Sequence, residues 1–313
     1  MRVAILGANG RVSHEVAEAF LAAGHSVIAV TRTGKTRGLS GAEGRAANAM
    51  IQDELIAATV GADLIFNGLN PPYDQWTNTV LPMARNVMAA AKAHGIPHLF
   101  IGNVYNFGHA IPVGADEHTL QRAETRKGKI RIEMEKLFET EARENGVKTI
   151  ILRAGDFYGT AGKGSWFDLF LVKDLAKGRF IWPGKRDIPH AFAYLPDLAR
   201  AFVALAERMS DLPVFDTFSF EGHTLSGQAF KDNVEQAVGR PLTFGKVPWF
   251  FFTLAGPFYR MAAEVNEMRY LWDVPHSLSG RKLEALIGTL DWTSPAEAIR
   301  QSLVDQGITV SRG

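Results

Sequence analysis

The sequence predicts an α/β protein: a doubly wound parallel sheet followed by a smaller α+β lobe. Three observations lead there. Through the first half of the chain, short apolar runs of strand length alternate with helix-period segments. A glycine turn joins the first strand to the first helix at the extreme N-terminus, in AILGANGRVSHEVAEAF. After about Gly159 the alternation stops, aromatics become dense, and prolines and glycines punctuate shorter segments.

Val3–Leu6, Ser26–Val30, Leu64–Asn67, His98–Gly102 and Thr149–Leu152 read as buried strands, since strands covered on both faces are near-continuous apolar runs. Helices are expected near Ser13–Ala23, Gln52–Ala58, Asp74–His94 and Gly128–Asn145. A third strand is due within Gly41–Met50, although GRAAN is a poor strand former. In the second half, PDLARAFVALAER reads as a helix with Pro196 near its start. SGQAFKDNVEQAVG reads as another, opened by Ser226 and closed by Gly239. Residues 1–159 therefore form the expected sheet domain, with a return segment near 188–215. Residues 160–313 mainly form a lobe over the sheet's carboxyl edge, where open α/β sheets bind ligands.

The 313 residues are 46% hydrophobic, enough for one large core or one large and one small. A formal net charge of +1 suggests neither nucleic acid nor an anionic membrane as a partner. With no cysteine there are no disulfides, thiolate nucleophiles or Cys-based metal sites. His109, His118 and His190 lack metal-ligand spacing, so no metal is expected; His190 is the histidine placed to approach a pocket. The N-terminal MRVAILG is too short for a signal-peptide apolar region, and VPWFFFTLAGPFY is broken by Pro257 and too short to span a bilayer. A cytoplasmic location is expected.

The glycine turn points to a dinucleotide. Gly7 allows the tight turn, and Gly10 lets the backbone approach a pyrophosphate at the helix N-terminus, beside Asn9, Arg11 and Val12. Ser13 stands where a third glycine is usual and is small enough for helix–strand packing. The second strand ends VTRTGK, with no acid to hold a ribose diol. Arg32 follows it, with Lys35 close by and Arg11 in the glycine loop, which favours NADP over NAD.

These features give a Rossmann-type frame, and the chain resembles the extended short-chain dehydrogenase/reductase family of epimerase and dehydratase type over nearly its whole length. GANGRVS resembles that family's GxxGxxG loop. FNGLN, with Asn67, Gly68 and Leu69, resembles its strand-four motif on the cofactor's adenosine side. LRAGDFYG, HAFAYLPDLARAF and SLSGRKLEALIGTLDWTSPAEAIR resemble three later segments in the same order. The resemblance implies a small-molecule substrate. It also implies a homodimer built on the helices Asp74–His94 and Gly128–Asn145.

The family's Ser-Tyr-Lys triad is replaced. FIGNVYNFG puts Asn103 at the hydroxyl position, and TRKGKIRIEMEKL puts Lys127 and Arg131 at the tyrosine and lysine positions. Lys127 is then the candidate general acid, as in atypical members similar to isoflavone and lignan reductases. Arg131 would hold the ribose hydroxyls and Asn103 would donate to an oxyanion. Tyr105 and Tyr158 are spare phenols. A second reading pairs Lys127 and Arg131 with Glu124 and Glu135 on a solvated helix face, in a chain that binds NADP(H) as a regulator without turnover. A third is a nucleotide-sugar isomerase or lyase, with Arg179, Arg186 and Arg260 as diphosphate candidates. The aromatics Trp166, Trp182 and Trp249–Phe252 suit an apolar or aromatic substrate, or packing of the small lobe. The leading expectation is a non-standard NADPH-dependent reductase.

Overall fold

The computed structural model describes residues 1–311. Its elements in chain order begin β1 (Arg2–Leu6), α1 (Arg11–Ala22), β2 (Ser26–Thr31), β3 (Glu43–Ala46), α2 (Gln52–Ala58) and β4 (Leu64–Asn67). Next come α3 (Trp76–His94), β5 (His98–Asn103), α4 (Arg126–Asn145), β6 (Thr149–Ala154) and β7 (Asp156–Tyr158). They continue with β8 (Arg179–Trp182), β9 (His190–Tyr194), α5 (Leu195–Glu207), β10 (Phe215–Ser219), β11 (His223–Leu225) and α6 (Gly227–Val238). The last are β12 (Thr243–Lys246), α7 (Trp249–Ala255), α8 (Arg260–Glu267), α9 (Arg281–Ile287) and α10 (Pro295–Asp305).

Seven strands form one sheet in the order β10-β6-β5-β4-β1-β2-β3, and every pairing in it is parallel. Successive side chains leave opposite faces. Leu6, Val30, Ile65 and Ile151 enter a core shared with α2, α3 and α4, whereas Ile5, Ala29, Phe66 and Leu152 enter one shared with α1 and α5. This double burial is the doubly wound architecture the apolar runs predict. The return segment supplies α5, packed beside α1, and the chain then adds β10 at the sheet's outer position.

The expected third strand is present, but its character differs from the others. In Glu43–Ala46 only Arg45 is even partly buried. The strand pairs with β2 alone, and Glu43 accepts hydrogen bonds from Arg45 at 2.7 Å and from Arg2. An outermost strand has one covered side, so it carries no apolar run for sequence reasoning to find.

The second half forms a lobe with two small sheets, β11-β9-β7 and β12-β8, and a core rich in aromatics that includes Phe180, Trp182, Phe230 and Trp272. Tyr158 belongs to that core: it is almost fully buried, and its hydroxyl bonds His223 Nδ1 at 2.5 Å. The expectation that it is a spare phenol for the pocket is thereby corrected. The aromatic run at 249–252 divides: Trp249 packs inward, while Phe250 and Phe251 face solvent. No helix among the described residues is long and apolar enough to cross a membrane.

Two buried histidines tie stability to pH. Burial lowers His98 to about 3; burial, and then His190, lower His276 to about 3. The unfolded chain takes up those protons near pH 6.5, which the folded chain refuses until near pH 3, so stability falls as pH drops below 6.5. Glu15, raised by burial and then by Glu18 and Asp305 to about 7, works oppositely between its ordinary value and pH 7. Two groups against one leave a net loss toward acid. Thermal unfolding at pH 7 and pH 5 should show a drop in Tm that His98→Gln makes smaller; an unchanged drop would remove His98 as a cause.

Candidate functional site

The glycine loop and the carboxyl ends of β1, β4 and β5 make one side of the site. Gly7 has φ +71, a conformation costly for side chains, and both Gly7 N and Ala8 N donate to Val30 O. The loop then opens α1 at Gly10 with no side-chain cap and no acid in its first turn, whereas α4, α6 and α10 are each capped by a Thr or Ser hydroxyl. The first N–H groups of α1, including those of Arg11 and Val12, are thus open to an anion. Ser13 fills the third-glycine place as expected for tight packing: its hydroxyl donates to Leu6 O at 3.0 Å, and a Cβ on Gly68 would lie 2.0 Å from it. Asn67 Oδ1 accepts from Leu69 N at 3.3 Å, turning the chain away after β4.

Asn9 joins this loop to the one after β2. Its Nδ2 donates to Lys35 O at 2.9 Å, and its Oδ1 accepts from Arg37 N at 3.0 Å. Arg32, Lys35 and Arg37 are exposed, and none has a carboxylate within 4 Å among the described residues. The Arg11 side chain goes elsewhere. It bonds Asp168 and Gly159 O, and burial lowers its pKa.

The start of α4 forms the opposite wall, and both of its cations depart from the solvated reading. Lys127 is 0% exposed. Its three N–H donors are all taken, by Glu264 Oε2, by Glu267 Oε2 at 2.5 Å and by Glu264 O at 3.1 Å. Burial acts to raise Glu264, but its bonds to Lys127 and Arg126 outweigh this and leave it below its ordinary value. Glu124 and Glu135 have other partners, His109 and Arg153. In this arrangement Lys127 has no proton free for a substrate; it joins α4 to α8.

Arg131 is 8% exposed and sits over the rings of Trp76 at 4.8 Å and Phe100 at 5.3 Å. Among the described residues its Nε has no partner, and the only side-chain bond from its guanidinium is a long one to the Met134 sulfur. Burial lowers its pKa, partly offset by Tyr105, Tyr73 and Glu135. A buried cation with idle donors is costly unless a ligand completes it.

Beside Arg131 stand two phenols in contact, Tyr73 Oη and Tyr105 Oη, 2.8 Å apart. Burial raises both, Tyr105 well above its ordinary value, so both carry protons at neutral pH. Tyr105 N donates to Asn103 Oδ1, and Asn103 Nδ2 makes no bond among the described residues, leaving two donors at the end of β5. Asp156 lies near the pair and accepts from His190 Nε2 at 2.8 Å, whose ring stacks on Trp272 at 4.2 Å. Sequence reasoning missed Tyr73, Glu264 and Glu267. Tyr73 lies in the turn NPPYDQW, whose only local signal is proline, and the two glutamates sit about 140 positions from their partner.

The arginines considered for a diphosphate are engaged separately: Arg179 with Asp174, Arg186 over Phe244 and Arg260 with Glu264. A groove of about 810 Å³, lined by Lys163, Asp168, Lys173, Arg240 and Ile308 among others, lies beyond the Arg11–Asp168 pair; neither phenol nor Arg131 lines it.

No curated protein matches the chain. Several solved structures share its fold along its length. UDP-glucose-4-epimerase from Stenotrophomonas maltophila, with bound NAD and formylated UDP-arabinopyranose, has a TM-score of 0.79 at 15% identity, covering 98% of each chain. UDP-glucose 4-epimerase from Brucella ovis in complex with NAD has 0.78 at 12%, covering 99% of each. The enzyme from Bifidobacterium longum with NAD+ and UDP has 0.77 at 15%, covering 98% of each. At these identities the likeness is one of fold. The family model described as NAD(P)H-binding matches residues 7–165, just over half the chain, and takes in the glycine loop, both phenols and Arg131. An uncapped helix N-terminus behind a positive-φ glycine lies inside the matched segment, as does the buried Arg131, and the chain belongs to the NAD(P)H-binding family.

Proposed function

We propose that this protein is an NADPH-dependent reductase of a small apolar or aromatic carbonyl compound, with the Tyr73–Tyr105 pair in place of the family tyrosine as proton source. The observation that carries this reading is the buried, half-idle guanidinium of Arg131 beside two hydrogen-bonded, protonated phenols. The bound dinucleotide would supply a hydride. The first N–H groups of α1 would hold its pyrophosphate, with Gly7 and Gly10 allowing close approach, Asn67, Gly68 and Leu69 flanking its adenosine side, and Arg131 holding the nicotinamide ribose. Arg32 and Lys35, with Arg37 added, suit a 2′-phosphate, and Asn9 fixes the loop that carries them.

The remaining chemistry belongs to the chain. Asn103 Nδ2 donates to the developing oxyanion. One phenol of the pair gives its proton to that oxygen, and its partner's hydroxyl bond, with Arg131 near, stabilises the phenolate left behind. Lys127 holds α4 in place by clamping α8. The partly exposed Trp166 ring, packed on the buried Trp272, suits an apolar substrate.

The test is fluorescence titration of NADPH and NADH. NADPH should bind about tenfold more tightly or better, and Arg32→Ala should abolish the difference. Tyr105→Phe should then lower turnover of carbonyl substrates by about 100-fold or more while leaving NADPH affinity unchanged. Equal affinity for the two cofactors would overturn the NADP assignment. Epimerisation of a nucleotide sugar with no net loss of cofactor would replace the reductase by the isomerase reading, which the epimerase-like fold favours.

A further inference from the structure

We propose that α7 and the turn into α8 dock this protein on an anionic lipid surface. Phe250, Phe251 and Leu254 share one face of α7, and Phe258 and Tyr259 continue it in the turn closed by bonds to Ala255 O. These are the most exposed large apolar side chains of the lobe: Phe250 is 67% exposed, Phe251 65% and Phe258 93%. The inner face of the same helix packs through Trp249 and Phe252, so the outer one is not needed to hold the lobe together. A contiguous aromatic and aliphatic patch of this kind marks an interaction site rather than ordinary surface.

The charge around it selects the occupant. From Lys246 to Ala263 the chain has two cations, Lys246 and Arg260, and no acid. In the ion cluster beneath, Glu264 is buried and Glu267 only partly exposed, while Arg126 and Arg260 face solvent. Arg269 sits over the Trp249 ring and pairs with Asp273; Asp273 and Glu267 are partly exposed acids close by, each already paired with a cation. An apolar face rimmed by cations matches an acidic headgroup layer over hydrocarbon. The net charge of +1 hides this, because the compensating acids are elsewhere or buried. Beneath the patch, Trp249 meets Trp166 and Trp166 meets Trp272, so the outer face rests on the lobe's aromatic core.

Cosedimentation of the whole chain with vesicles tests this without any turnover. Vesicles of phosphatidylcholine and phosphatidylglycerol in equal parts should bind about fivefold more protein or better than phosphatidylcholine alone, and added salt should reduce the difference. Phe250→Ser with Phe251→Ser should weaken that binding about tenfold or more, with NADPH affinity unchanged. If the double variant loses NADPH as well, Phe258→Ser carries the same test. Absence of vesicle binding, or binding indifferent to lipid charge, overturns the proposal. So does a wild-type dimer that the same variants dissociate, which would assign the patch to a second copy of the chain.

Discussion

Replacing Lys127 by methionine will destabilise the fold by about 3–5 kcal/mol, the usual cost of removing one partner from a buried ion pair. The substitution keeps the volume but leaves the buried Glu264 carboxylate with only the solvent-facing Arg126 and, at 3.8 Å, Arg260 as cations. Urea denaturation would show it as a lower midpoint at unchanged slope. Lys127→Met with Glu264→Gln should recover much of the loss, since the stranded charge, not the missing contact, accounts for most of it. Were Lys127 a general acid facing an open cleft, its removal would abolish turnover with little effect on stability. An unfolding free energy within about 0.5 kcal/mol of wild type would restore that role and remove the clamp.

Arg131→Met should act in the opposite sense on stability. The guanidinium costs desolvation, its Nε is unpaired among the described residues, and the stacking on Trp76 and Phe100 returns only part of that cost. The cofactor-free variant should therefore be more stable by about 1 kcal/mol, while NADPH affinity falls about 10- to 100-fold through lost charge-assisted bonds. Saturating NADPH should raise Tm in the wild type and much less in the variant. Wild-type affinity in the variant would show that Arg131 does not reach the cofactor.

What the sequence disclosed follows from where each signal resides. β1, β2, β4, β5 and β6 are covered on both faces and wrote themselves as apolar runs, and the glycine loop needs residues that only a turn of that shape uses. Lys127 and Arg131 could be singled out by their spacing, but not given neighbours. Glu264 and Glu267 reach Lys127 from a helix at the far end of the chain, and no local pattern encodes a contact of that separation. Tyr73 was hidden for a related reason: its partner Tyr105 follows a different strand, and only the parallel order of β4 beside β5 brings the two together. Tyr158, which stands next to a recognisable glycine, proved to face the small lobe because β7 pairs with β9 and turns its side chain there.

The polar β3 has a consequence of its own. A sheet of seven parallel strands ends in rows of unpaired N–H and C=O groups, a ready template for a strand from another molecule. On one flank that template is four residues long, and any chain extending it would have to bury or displace the Glu43–Arg45–Arg2 charges. On the other, Asp216 of β10 is held by Lys282. Charge at both margins disfavours edge-to-edge pairing of so apolar a sheet with another chain.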